Sequence, residues 1–265
     1  MINIATHSLR LAMHYLKIER CEGFQVINMN WNRDNPGFRP ETFDIVSSAL
    51  RAADADEDIK STLFFGVPRC FCLGSDVNAF VETTDLDALS DRVLRFFRSL
   101  INAKKPLIAA VDGTAIGLGM TMLCHFDAVY ATPESTFRAP FVDWGLLPEA
   151  GSSILLPEVL GHRRAFELFC LGGELSAEEA EQSGLITRIV ASDELKPTAI
   201  NAARHLAKAP ERSLRFTRDL MLQNRTKLSQ RAKMETTIFH ELLCERSTQR
   251  RLKIMARASR MALAS

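Results

Sequence analysis

The chain has 265 residues, 46% of them hydrophobic, with 33 Lys/Arg against 32 Asp/Glu. That length supports one substantial core with a smaller C-terminal appendage rather than two independent domains, and a net charge of +1 gives no global attraction for nucleic acid. No apolar stretch approaches the roughly 20 residues that span a bilayer, and the six scattered cysteines lack the spacing of zinc or redox motifs and fit free thiols in a reducing compartment.

The chain opens on eighteen residues without an acid, a trait shared with transit peptides, but Arg10 and Lys17 are their only fixed cations and no amphipathic arginine pattern emerges. A cytoplasmic protein is the expectation. Tyr15 to Glu19 and Phe24 to Asn30 alternate around Cys21-Glu22-Gly23, which predicts a two-stranded hairpin. A loop rich in Asn, Asp, Pro and Gly follows. Glu41 to Ala53 spaces Phe43, Val46, Ala49 and Leu50 along one helical face, and Thr62 to Gly66 is short, apolar and β-prone. Leu86, Leu89, Val93, Phe96, Phe97 and Leu100 form a strong helical stripe, and Pro106 to Val111 reads as a buried strand. Gly113, Gly117 and Gly119 break that strand and open a helix to about Cys124, before a further strand over Asp127 to Ala131. Strands alternating with helices predict an α/β fold with right-handed crossovers and a largely parallel sheet.

Beyond Glu149 the pattern becomes helical, with a capping box at Ser176 to Glu179 and breaks at Gly161, Gly172-Gly173, Gly184, Pro197 and Pro210. The charge here is uneven, fifteen Lys/Arg against five Asp/Glu from Arg204 to Arg260. Solvated helix faces explain this more simply than a polyanion site. The expected organisation is a core over residues 1–200 and a helical C-terminal region over 201–265.

The sharpest local feature is Val111-Asp112-Gly113-Thr114-Ala115-Ile116-Gly117-Leu118-Gly119. Glycines let backbone approach a ligand closely, and the first N–H groups of a helix carry partial positive charge, which suits an oxyanion. The spacing matches neither a dinucleotide fingerprint nor a P-loop. By itself the segment fits tight strand–helix packing equally well. A second turn follows a β-prone run in Arg69-Cys70-Phe71-Cys72-Leu73-Gly74-Ser75-Asp76-Val77, and two converging N–H donors are what a developing enolate oxygen requires.

These residues resemble the enoyl-CoA hydratase/isomerase (crotonase) superfamily. Phe71 to Asp76 is similar to its FCAGxD segment, Lys105 to Gly119 to its KPxIAAVxGxAxGxG segment, and Leu147 to Ser153 with Leu156-Pro157 and Gly161 to its PxxGxxxxLPxxxG segment. Leu171-Gly172-Gly173 to Gly184-Leu185-Ile186 continues the likeness. The resemblance implies repeated ββα units, a C-terminal trimerisation region forming a homotrimer or dimer of trimers, and an acyl-CoA thioester as substrate, with CoA part of the substrate and no separate cofactor or metal. It implies an oxyanion hole from the Ser75 and Leu118 N–H groups. Arg39, Cys72, Gly74, Asp76 and Gly117 are the expected cofactor-end contacts, although Asp76 also suits fixing its own turn.

Hydratases of this family carry two glutamates where this chain has Thr121 and Phe141, and neither of these exchanges a proton near neutral pH. A carboxylate stands instead at Glu149. The segments Phe126 to Ala131 and Pro140-Phe141 to Ser153 are similar to those of the peroxisomal-type Δ3,Δ2-enoyl-CoA isomerase branch, in which that glutamate is the base. A Pro-Glu pair opening a helix ordinarily only complements the dipole; with the motif, Glu149 is the expected base for moving a 3-enoyl-CoA double bond to the 2-trans position. Phe80, Phe97, Phe141, Trp144 and Leu146 are candidate apolar walls. His125 is expected to be structural, His240 and Cys244 lack a third ligand for a metal, and Asp127 and Asp143 fit strand or turn roles. Asn224-Arg225-Thr226 matches a glycosylation pattern that a cytosolic chain would not use. The loop Asn32-Arg33-Asp34-Asn35-Pro36-Gly37-Phe38-Arg39-Pro40 departs from the family's adenine-contacting sequence, with Arg39 a possible electrostatic substitute. Hydration, thioester hydrolysis and a non-catalytic acyl-CoA- or RNA-binding role are the alternatives.

Overall fold

The computed structural model describes residues 16–31, 37–222 and 224–264, with side chains to residue 256. The N-terminal fifteen residues and 32–36, which hold most of the altered loop, lie outside the described residues. A hairpin of β1 (Leu16–Cys21) and β2 (Phe24–Met29) turns on Gly23 at φ 83°. Helix α1 (Pro40–Ala55) leads to β3 (Ser61–Phe65), β4 (Cys70–Cys72), α2 (Val77–Glu82) and α3 (Leu86–Ile101). Then come β5 (Leu107–Val111), β6 (Thr114–Ile116), α4 (Leu118–Thr121) with a 3₁₀ turn (Met122–His125), β7 (Ala128–Ala131) and β8 (Thr136–Arg138).

The strands divide between two sheets. One runs β1-β2-β3-β5-β7-β10, with β10 at Arg188–Ile189, and is parallel except for the hairpin. The other runs β4-β6-β8-β9, with β9 at Glu174–Ser176, in strands of three residues. Each β3/β4, β5/β6 and β7/β8 pair thus sends its first strand to the large sheet and its second to the small one, giving the repeated ββα plan. The expected helix opening at Gly113 is corrected: β6 comes first, because Thr114 and Ala115 pair with β4 and Thr114, Ala115 and Ile116 pair with β8.

Both faces of the large sheet are covered, which explains its near-continuous apolar strands. Ile27, Phe64, Ala109 and Val111 face α1 and α3, while the alternating Val26, Leu63, Ile108 and Ala110 face Leu195, Ala199 and Ala203 of α8 (Ser192–Lys208). Two expectations are corrected by α8. It runs unbroken across position 200, so the proposed core boundary falls inside a helix. Pro197 does not break it, because the hydrogen bond it forgoes is to the exposed carbonyl of Asp193 in the first turn, where water can replace the donor.

Helices α5 (Ser152–Leu160), α6 (His162–Cys170) and α7 (Ala177–Gln182) follow the β7/β8 pair, with the Ser176/Glu179 capping box formed at α7. The C-terminal helices α9 (Glu211–Met221), α10 (Arg225–Cys244) and α11 (Arg246–Ala264) fold back on their own core, α10 along α3 and α11 against α2. Part of the basic charge here is internal: buried Arg218 donates to Asp127 Oδ1 (2.7 Å) and to Ala103 O (2.6 Å). Among the described residues, no helix is long and apolar enough to cross a membrane.

Candidate active site

The turn after β4 is built around Gly74 at φ 90°, where a side chain would be strained and its Cβ would stand 2.9 Å from Ile116 O and 3.4 Å from Leu118 N. The Ser75 turn and the Leu118 turn are therefore in contact. Phe38 N–H donates to Gly74 O (2.7 Å) and Asp76 N–H to Phe38 O (2.8 Å), a parallel bridge that turns the Ser75 N–H to the opposite side. Leu118 is the first residue of α4, where an N–H has no intrahelical acceptor. Among the described residues neither N–H has a main-chain partner. Because α4 is only four residues long, these donors act as individual N–H groups rather than through a long helix dipole.

The remaining expected contacts support these turns. Asp76 is buried; its Oδ1 caps α2 by accepting from Asn78 N–H (2.9 Å), and its Oδ2 pairs with Arg39 Nε at 3.2 Å. The guanidinium of Arg39, a third exposed, is thus held by the buried Asp76 carboxylate. The Cys72 thiol is fully buried, accepts from Gly74 N–H and packs on Gly119, and burial pushes its pKa up, so any part of this residue in the cofactor end falls to its backbone. Gly117, at φ 54°, lies beneath the Trp144 ring, which comes within 3.3 Å of where its Cβ would be.

Glu149 is 5% exposed and borders a cavity of about 20 Å³. Phe80 of α2, Leu89, Val93 and Phe97 of α3, and Phe239 and Leu243 of α10 form the apolar wall, with the Ser90 and Thr236 hydroxyls beside them. Of the five candidate wall residues, Phe80 and Phe97 line this slot. Phe141 is buried against Trp144 and Phe169, and Leu146 is buried in the core. No hydrogen bond reaches the Glu149 carboxylate among the described residues. Burial first, then the charge of Glu235, pushes its pKa up to about 8. Its charge also contributes to the raised pKa of the Cys72 thiol. Thr121 is fully buried, so the two positions that carry glutamates in hydratases here hold a hydroxyl and an aromatic ring.

Sequence reasoning missed Glu235 on α10, which is 3% exposed and binds the turn after Glu149. A lone glutamate in a helix rich in charge carries no local signal of burial. His125 proves partly buried, with Nε2 2.6 Å from Ala150 O. His240 Nδ1 stands 3.0 Å from Ser90 Oγ and its Nε2 3.7 Å from Cys244 Sγ. Among the described residues, no group of three His, Cys, Asp or Glu is arranged to hold a metal.

Stacked ββα units, with two N–H donors on adjoining turns and a buried carboxylate between helices, follow the crotonase-type plan. The chain belongs to the enoyl-CoA hydratase/isomerase family, whose profile matches residues 19–257. It is 35% identical over 195 residues to 1,2-epoxyphenylacetyl-CoA isomerase of Escherichia coli (strain K12), covering 71% of this chain and 74% of that protein. It is 33% identical over 181 residues to enoyl-CoA delta isomerase 2 of Rattus norvegicus, covering 66% of this chain but only 46% of the relative. Its fold superposes on the crystal structure of an enoyl-CoA hydratase/isomerase from Pseudoalteromonas atlantica T6c with a TM-score of 0.83, at 29% identity, covering 91% and 96% of the two chains. The protein is an acyl-CoA-processing enzyme of this family's type.

Proposed function

We propose that the enzyme moves the double bond of a 3-enoyl-CoA to the 2-trans position, with Glu149 as the only proton carrier. The observation that carries this reading is the buried, hydrogen-bond-free Glu149 carboxylate at an apolar slot, with no carboxylate at either hydratase position. The thioester oxygen accepts from the Ser75 and Leu118 N–H groups. Glu149 takes the proton from C2, the electron pair of that C–H bond forms a C1=C2 bond, and the thioester C=O pair moves onto the oxygen, with C3=C4 still in place. In the intermediate the negative charge rests on the thioester oxygen, where two N–H donors stabilise it. Glu149 then returns the same proton to C4: the C3=C4 pair takes it, the C1=C2 pair becomes the C2=C3 bond, and the oxygen pair re-forms the thioester carbonyl. A base with a pKa near 8 suits this shuttle, because it both accepts and releases a proton near neutrality.

Hydration would require a second free carboxylate to handle water. Glu235 acts electrostatically on Glu149, but both of its oxygens are occupied by the Gly151 and Ser153 donors. A relative named as an enoyl-CoA delta isomerase supports the same assignment. The protein is proposed to work in the cytoplasm as a homotrimer or dimer of trimers, for which exposed Phe216, Leu220 and Met221 on α9 offer apolar surface. Purified protein supplied with 3-enoyl-CoA should generate conjugated-enoyl absorbance, and Glu149→Gln should reduce turnover by about 10³-fold or more. Undiminished turnover in that variant, or hydration of 2-enoyl-CoA as the main reaction, overturns the proposal.

A further inference from the structure

Glu149 is joined to α5 by a turn that places two consecutive residues in the left-handed region, Ala150 at φ 62° and Gly151 at φ 74°. Glycine adopts this readily, but for alanine it costs about 1–2 kcal/mol, and such a conformation persists only where neighbours hold it. Ala150 is fully buried, so protein groups must do the holding. His125 Nε2 bonds the Ala150 carbonyl oxygen at 2.6 Å. From the other side, Glu235 Oε2 accepts from Gly151 N–H at 2.6 Å, and its Oε1 accepts from Ser153 N–H at 3.2 Å and from Ser153 Oγ at 2.5 Å. Three donors on one carboxylate, at the first turn of the nine-residue α5, make Glu235 the clamp on the segment that carries Glu149.

We infer that Glu235 is a positioning residue for Glu149: from α10 it fixes the 149–153 turn so that the base faces the apolar slot, and it places a second negative charge beside that base. The inference rests on reading Glu149 as the base. Its chemistry follows from the unequal bonding of the two carboxylates. Burial raises the Glu235 carboxyl, and its three donors oppose that rise; Glu149 has no such donor and lies in a dry site beside a second carboxylate, which keeps it a strong proton acceptor. The same helix that lines the slot with Thr236, Phe239 and Leu243 therefore also holds the turn that carries the base.

The other charged or titratable groups around the pair do not compete in the working range. Arg231 of α10 reaches Ser153 Oγ at 3.4 Å and carries a fixed positive charge. His125 is held neutral, its pKa lowered by burial to about 4, and burial pushes Cys124 up to about 12 and raises Cys72.

The test compares Glu235→Gln and Glu235→Ala with wild type in the full chain, measuring kcat and KM on 3-enoyl-CoA from pH 5.5 to 9.5. It also follows the Glu149 carboxyl by ¹³C NMR, assigned against Glu149→Gln. Glu235→Gln retains an oxygen for Gly151 N–H and should keep kcat within about tenfold, while the midpoint of both the rate profile and the carboxyl titration moves down by roughly half a unit or more. Glu235→Ala should lower kcat by about tenfold or more with KM changed less than about threefold. Wild-type kcat in Glu235→Ala, or an unmoved Glu149 midpoint in Glu235→Gln, overturns the inference, since a purely structural glutamate would alter melting and leave the titration in place. If wild type fails to isomerise the substrate, the NMR titration still decides: a shifted midpoint upholds the clamp and faults only the assigned reaction.

Discussion

His125 and Ala150 are 25 positions apart in the chain, and the Nε2 of one lies 2.6 Å from the carbonyl oxygen of the other. A carbonyl only accepts, so the ring must donate and Nε2 must carry the hydrogen. That bond secures a left-handed alanine beside the candidate base. Replacing His125 with Phe leaves a carbonyl in need of a donor and should cost about 1–3 kcal/mol at pH 7.5 by urea unfolding, together with a loss of kcat. The sign with pH follows from the lowered value of about 4. A depressed histidine contributes its stability above the unfolded pKa near 6.5 and loses it as pH falls towards 4. The gap between wild type and His125→Phe should therefore narrow at pH 5. A gap that widens there would contradict a neutral, donating ring.

Glu149 predicts a pH signature of the opposite kind. As a general base it works in the ionised form, so the chemical step should speed up as pH rises through about 8. Stability runs the other way. A carboxyl raised above its unfolded value contributes fully below about 4.5, and the contribution is lost as pH rises through about 8. Glu149→Gln should consequently be more stable than wild type at pH 9, on the order of a few kcal/mol, with the two converging near pH 4. Thermal melts across that range check both ends of the claim.

The contact of the two oxyanion turns predicts a steep glycine dependence. A Cβ at Gly119 would meet Cys72 O at 2.2 Å, and backbone there cannot yield without separating β4 from α4. Gly119→Ala should reduce kcat/KM by about 100-fold and destabilise by roughly 1–3 kcal/mol. Gly184→Ala provides the contrast, because nothing lies within 4 Å and only its φ of 80° opposes the change. It should cost about 1 kcal/mol and spare activity. Equal activity losses in both variants would argue against the turn geometry as the cause.

The slot beside Glu149 is about 20 Å³, room for roughly one water, so an acyl chain must part α3 from α10 to enter. Phe239→Ala should enlarge it and raise kcat/KM for longer acyl chains relative to short ones, by up to about fourfold per methylene accommodated. Val93→Phe should shift preference towards short chains. A panel of 3-enoyl-CoA lengths reads both, and an unchanged length profile in each would place the acyl chain elsewhere.

Much of this architecture was legible locally. The stripe from Leu86 to Leu100 marked α3 because helical periodicity is written in neighbouring residues, and its Leu89, Val93, Phe96, Phe97 and Leu100 are all buried. The hairpin around Gly23 and the capping box at Ser176 were readable for the same reason. The strand β6 was not, since three residues between glycines are too short to show alternation and are strands only through their pairing with β4 and β8.

The amino-acid sequence by itself determined the alternation of strand and helix, the two glycine turns and the motif that singles out Glu149, because turn chemistry and periodicity act within a few residues. Only the tertiary structure decided that Cys72 is sealed behind the Gly74 turn, that Arg39 is bound to Asp76, and that Glu235 grips the Gly151 and Ser153 amides from 84 and 82 positions away. Burial and long-range hydrogen bonding depend on which distant segments meet, and the strength of a carboxylate as a base depends on both.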